Sequence, residues 1–177
     1  MNTDQWLLAA GGALLIFWML GAYNRLVALR NAIIAAWAQV DEPLQRRSQA
    51  ILALADGLRG PLADEAGALD ALRQAQAQLQ AAADALRRRP AQAARAQAFI
   101  AAEAGLAAAL ARLLALLEQR PGLGEAEPLA TLHESMQRIG FARQLFNDAV
   151  HRYNEAVRQF PTRLLTRLFG FGPAGTL

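Results

Sequence analysis

Residues 6–22, WLLAAGGALLIFWMLGA, run without a charge or a side-chain amide, and this stretch constrains the chain more than any other. A bilayer's hydrocarbon core is about 30 Å thick, so a crossing helix needs about 20 apolar residues, with about 17 at the short end. The stretch meets that lower limit, and Trp6 and Tyr23 stand where aromatic rings anchor a span at its two interfaces. A cleaved secretory signal would begin with a basic head and leave through small residues of A-x-A type. Here the head is MNTDQ and the exit is Leu20-Gly21-Ala22, so the segment is expected to remain as an anchor. Asp4 precedes it, whereas Arg25 and Arg30 follow it. The positive-inside rule then puts the amino terminus outside and the long remainder in the cytosol of a single-pass inner-membrane protein.

That remainder has the size of one domain, and its composition leaves one fold class. The 177 residues hold 41 Ala and 30 Leu against 15 Val, Ile and Thr together. Such a mixture favours helix and nearly excludes a sheet core. Prolines at 43, 61, 90, 121, 128, 161 and 173 cut the chain into long stretches, because proline resists a helix interior. The spacing predicts helices over 23–58, 62–89, 91–119 and 127–160, with Pro43 the one exception inside the first. Matched lengths and short joints imply antiparallel neighbours. The expected fold is all-α, an N-terminal transmembrane helix continuing into a long-helix antiparallel four-helix bundle. Its divisions are a head and anchor over 1–22, the bundle over 23–160, and an amphipathic C-terminal segment over 161–177.

Apolar spacing supports the bundle. Leu26, Ile33 and Val40 form one row and Trp37, Leu44, Ile51 and Leu58 the next, alternating every three or four residues. The last helix carries Leu132, Met136, Ile139, Phe146, Val150, Tyr153, Val157 and Phe160, with Arg143 the polar member of the series. The third has Phe99, Leu106, Leu110, Leu113 and Leu117. The second is weaker: Leu72, Leu79 and Leu86 share a row whose backward extension lands on Glu65. Residues 75–111 approach low complexity in Ala, Gln and Arg, and alanine buries little area.

Two blocks at the ends of the chain resemble the LemA family of membrane-anchored helical proteins. The first is Tyr23-Asn24-Arg25-Leu26-Val27-Ala28-Leu29-Arg30-Asn31, followed by Ala36-Trp37-Ala38-Gln39-Val40-Asp41 and Leu44-Gln45-Arg46-Arg47. It is similar to that family's YN-x-LV-x-LRN, AW-x-x-ID and L-x-RR pattern. The second runs from Glu134 through Phe141-Ala142-Arg143-Gln144 and Asn147-Asp148-Ala149-Val150 to Tyr153-Asn154, then Phe160-Pro161 and Leu168-Phe169-Gly170-Phe171. It is similar to E-x-x-I-x-FARQ-x-YNDAV-x-x-YN and FP-x-x-L-x-x-LFGF. The middle departs from the pattern, since Ile51-Leu52-Ala53-Leu54 lacks the proline of the family's IPNLV-like segment. The resemblance implies an anchor with its short end outside and a long-helix bundle inside, and it supplies no catalytic residue.

The remaining chemistry is sparse. Without cysteine there is no thiol nucleophile, disulfide, or Cys-ligated metal. His133 and His151 are the only histidines, and Asp148-Ala149-Val150-His151 is a single imitation of the Glu-x-x-His pair of a di-iron bundle. Neither Ser48 nor Ser135 has a histidine at a spacing that suggests activation. All 18 basic residues are Arg, balanced by 15 acids to a net +3, and they are scattered with few aromatics beside them. Arg87-Arg88-Arg89-Pro90 reads as a helix end rather than a nucleic-acid patch. No catalytic residue, metal site, cofactor, small-molecule substrate or nucleic acid is expected.

Two sets of residues stand out instead. Asn24, Arg47, Arg143, Asn147, Asp148 and Asn154 are candidates for a polar core that fixes helix register. The arginines are expected to pair with Asp41, Glu134 or Asp148, and the asparagines to bond between helices. Arg163, Leu164, Arg167, Leu168, Phe169 and Phe171 are candidates for the membrane interface, or for a cap on the bundle's open end near Tyr23. Residues 138–177 carry six Arg and two acids, a local +4 that would favour anionic headgroups by about 1 kcal/mol per surface-facing Arg. The expected role is a cytosolic interaction or scaffold module for an unknown protein partner. The alternative is a membrane-shaping or anionic-lipid-surface protein.

Overall fold

In a computed structural model of the full chain, residues 3–120, 122, 123 and 126–177 are described, without the side chains of 3, 126, 165, 167 and 168. Every α-helix or strand among them is a helix: α1 (Thr3–Gly57), α2 (Ala66–Arg88), α3 (Ala93–Gln119), α4 (Ala126–Arg158) and α5 (Thr162–Phe169). A 3-10 turn, Ala63–Glu65, precedes α2. The long helices alternate in direction, with α1 packed chiefly along α4 and α2 along α3.

α1 joins the apolar segment to the bundle in one element. The expected boundary at 22/23 therefore lies inside a continuous helix, which also runs through Pro43. Along the apolar segment Trp6, Leu8 and Phe17 are exposed, whereas from Leu26 onward both rows are buried. The same helix thus changes from an all-round apolar surface to a one-sided stripe, and its apolar part is long enough by length and composition to cross a membrane. By length and composition α3 also suffices to cross a membrane. Its hydropathy comes from 12 alanines, while Phe99, Leu106, Leu110, Leu113 and Leu117 are buried against the other helices.

The core is centred on Trp37. Its ring meets Phe99 of α3 edge-on at 5.6 Å and Phe146 of α4 at 6.1 Å, so one residue ties three helices. Such pairs contribute about 0.5–1.5 kcal/mol each beyond area burial. Leu72, Leu79 and Leu86 are buried on α2 as their row predicts. Two members of the α4 series depart from it, since Met136 and Phe160 are exposed. Phe160 lies beyond the last helical residue, where α4 gives way to a cis Phe160–Pro161 bond. α2 begins at Ala66 rather than near 62, because Leu62 N–H bonds back to the Leu58 carbonyl and closes a turn first.

Arginines fasten the joints. At the end distant from the apolar segment, Arg120 donates to both Asp64 oxygens at 3.0 and 2.5 Å and holds that carboxyl below its usual range. Near the other end, Arg87 donates to both oxygens of Asp41 on α1 at 3.1 and 2.6 Å, and Arg95 donates to the Ala85 carbonyl across the α2–α3 turn. The hydrogen bond to Asp41 raises the Arg87 pKa further. Fork-shaped guanidinium donors suit both carboxylates and free helix-end carbonyls.

Candidate functional site

Where α1 emerges from its apolar segment, the chain's two ends meet. Tyr23 on α1 contacts Phe169 at the end of α5 and Phe171 just after it, with ring centroids 5.2 and 5.8 Å apart. Gly170 ends α5 in the left-handed region (φ 69°), which lets its N–H close on the Thr166 carbonyl and reverses the chain. Residues 170–177 then run extended along α4.

The tail is held by side-chain amides acting as strand partners. Asn154 donates to the Ala174 carbonyl at 2.9 Å and accepts the Ala174 N–H at 2.8 Å. One heptad earlier, Asn147 does the same with Leu177, at 2.9 and 2.7 Å. Tyr153 donates its hydroxyl to the Gly172 carbonyl at 3.0 Å, and burial raises its pKa against a smaller opposing pull from Arg30. Between these anchors Gly175 lies so close to α3 that a Cβ there would stand 2.9 Å from the Ala93 Cα and the Ala96 Cβ. Only glycine fits this approach without displacement. The tail therefore closes the seam between α3 and α4, and Ala174 is buried.

The expected polar core is reorganised accordingly. Arg47 is buried, but its partner is Glu103 of α3, bound at 2.6 and 2.7 Å, rather than Asp41, Glu134 or Asp148. Asp41 takes Arg87 at 2.6 Å and Glu134 takes Arg138 at 2.7 Å. Arg143 is half-buried, while Asp148 and Asn24 are exposed and form no part of a buried network. Asn24 faces outward because Leu26 supplies the inward position on that turn. Asn147 and Asn154 bind backbone of the tail rather than another helix. Spacing reveals a polar residue beside a core stripe; it does not reveal that its partner is a Gly/Pro-rich segment without periodicity.

The interface candidates divide. Arg163 and Leu164 are exposed on α5, and Phe169 is partly exposed against Tyr23. Phe171, half-buried, packs against the core beside Tyr23, as the cap on the bundle's open end would have it. Arg167 and Leu168 lie on α5 with side chains outside the described residues.

Farther along the bundle, an open groove of about 480 Å³ lies between α1 and α4, bordered by Pro43, Arg138, Phe141 and Leu145. Phe141 is 65% exposed and Leu145 42%. Both lie outside the core stripe of α4, on its flank toward α1. Pro43 has no N–H, so the Gln39 carbonyl one turn earlier lacks its helical donor, and Gln39 lines the same groove. His133 and His151 are exposed on α4, and among the described residues no group of three or more metal-binding side chains gathers.

The LemA family model matches residues 36–177, from the residue before Trp37 to the docked tail. No curated protein matches the chain.

Proposed function

This chain belongs to the LemA family, and from that premise we propose that it is a single-pass inner-membrane protein whose cytosolic bundle serves as an interaction or scaffold module. Residues 6–22 are the anchor in this reading. The arginines at 25 and 30, just past the apolar stretch, support an amino terminus on the outer side. We assign the protein no catalytic step: Arg47, Arg87 and Arg120 join helices, and Asn147, Tyr153 and Asn154 hold the tail.

The observation that carries the reading is the Phe141–Leu145 groove. A large aromatic and a leucine stand exposed beside a backbone carbonyl deprived of its donor, on the family-matched part of α4. The groove begins at Gln39, about 24 Å along α1 from Tyr23 at about 1.5 Å per residue, which supports a position clear of the bilayer. Exposed apolar side chains with a polar rim are what partner surfaces present.

The test is a photo-crosslinking side chain at Leu145 in cells. The expected result is a discrete protein adduct that Phe141→Glu abolishes while the variant keeps its melting profile and its membrane fraction. An absent adduct, or one unaffected by Phe141→Glu, overturns the interaction reading. A reporter fused after Leu177 that is active only outside the cytosol overturns the orientation.

A further inference from the structure

A cavity of about 540 Å³ opens at the same end of the bundle as the Tyr23 ring cluster. Its cations come from two helices: Arg30 from α1, and Arg88 and Arg89 from the end of α2. None of the three makes an ion pair among the described residues, although most other arginines of the bundle do. Among the described residues no Asp or Glu lines the cavity. The first turn of α3 reaches it through Ala93, adding the positive end of a helix dipole. A concentration of unpaired positive charge in a concave site calls for an anion.

A second cavity shares one residue with the first. About 240 Å³ in volume, it is lined among the described residues by Ile16, Met19, Leu20, Tyr23 and Phe169, all apolar but for the Tyr23 hydroxyl. It runs along the apolar segment, on the membrane side of Tyr23, whereas the arginines lie on the bundle side. A free phosphate would use the first cavity and leave the second empty. A molecule with an anionic head and a hydrocarbon tail fills both, with Tyr23 at the junction, where aromatic rings sit at headgroup level.

We propose that Arg30, Arg88 and Arg89 bind the phosphate of one anionic phospholipid from the cytosolic leaflet, and that its acyl chain occupies the groove formed by Ile16, Met19, Leu20 and Phe169. The proposal rests on the anchor reading given above. The bound lipid ties α1, the α2–α3 turn and the docked tail together at the membrane surface. This differs from general attraction of a basic surface, because it has a stoichiometry of one and a defined pocket.

The test uses the full chain reconstituted in phosphatidylcholine vesicles with a small fraction of spin-labelled lipid, reading the immobilised component by electron spin resonance. At physiological salt, labelled phosphatidylglycerol is expected to be enriched over labelled phosphatidylcholine by about tenfold, with one site per chain. The triple variant Arg30→Gln/Arg88→Gln/Arg89→Gln removes that preference. Arg163→Gln on α5 leaves it unchanged, and Ile16→Trp, which fills the apolar groove without adding charge, lowers it. Circular dichroism melts of the triple variant should match the parent, as its three arginines are exposed and unpaired.

Millimolar inorganic phosphate should not displace the labelled lipid; displacement by phosphate would assign the cavity to a soluble anion and overturn the proposal. Equal immobilisation of the two lipids, or a preference that survives the triple variant, also overturns it. Extraction of the chain from vesicles at alkaline pH separates the two levels. An extracted chain defeats the anchor and the lipid site together, whereas a retained chain without headgroup preference defeats the lipid site alone.

Discussion

Arg47 of α1 grips Glu103 of α3 through two parallel bonds, Nη1 to Oε1 at 2.6 Å and Nη2 to Oε2 at 2.7 Å. The side chains are 7% and 18% exposed, and the pair joins helices diagonally placed in the bundle. A planar fork meeting a carboxylate this way fixes distance and register at once. Its net contribution to stability is small, because two charges were desolvated to form it, but breaking it from one side leaves an uncompensated charge.

The prediction is asymmetric. In detergent-solubilised full chain, Glu103→Ala is expected to cost about 2–4 kcal/mol, since Arg47 stays buried without its partner. Replacing both residues by Leu should return stability to within about 1 kcal/mol of the parent. Denaturant titration of the three proteins decides it; additive losses in the double variant would show that the pair stabilises the fold outright.

Trp37 offers a cleaner probe of packing. It is 2% exposed, touches Phe99 and Phe146, and has an indole N–H without a hydrogen-bond partner among the described residues. Trp37→Ala should cost about 3–5 kcal/mol through the cavity it leaves. Trp37→Phe should cost far less, under about 1.5 kcal/mol, because deleting the unpaired donor offsets part of the lost area. Thermal melts of the two variants read the difference, and equal losses would mean that the indole nitrogen has a partner.

These two residues also mark how far the sequence could be read. Trp37 is legible because Val40, Leu44, Ile51 and Leu58 continue its stripe, and a core needs only that period. Arg47 is legible as a polar intruder in the same stripe, but Glu103 is 56 residues away on a helix whose alanines leave its rotation weakly marked. The docked tail was hidden more completely. Asn147 and Asn154 differ from ordinary polar helix residues only through the backbone they bind, and residues 170–177 carry no periodicity to announce a position. Phe141 was hidden for the opposite reason, as an apolar residue outside the stripe that helical spacing treats as surplus.

Release of the tail can be followed with one label, because the chain has no cysteine. A spin label on Thr176→Cys, an exposed position, should report an immobile tail in the parent. Asn154→Ala removes two hydrogen bonds and leaves the Ala174 N–H and carbonyl unpaired, a local loss of about 1–3 kcal/mol. Gly175→Val should act more strongly, since its Cβ has backbone of α3 in the way. Both variants are expected to sharpen the label's spectrum while the helical melt changes little. An unchanged spectrum in Gly175→Val would mean that the close approach to Ala93 is not occupied in solution.

Alkaline pH should release the same tail through Tyr153. Its pKa lies above the ordinary 10.0 because burial disfavours the phenolate, and its hydroxyl donates to Gly172. A folded-state pKa above the unfolded one means that the stabilisation is whole below pH 10.0 and drains away as pH rises through the folded value. The phenolate can no longer donate, so docking of residues 170–177 weakens along with overall stability. The Thr176→Cys label is therefore expected to stay immobile to about pH 10 and to become mobile above it. Tyr153→Phe, which has no proton to lose, should show partial mobility that does not change across that range. A parental transition centred well below pH 10, or one that persists in Tyr153→Phe, would assign the release to another group.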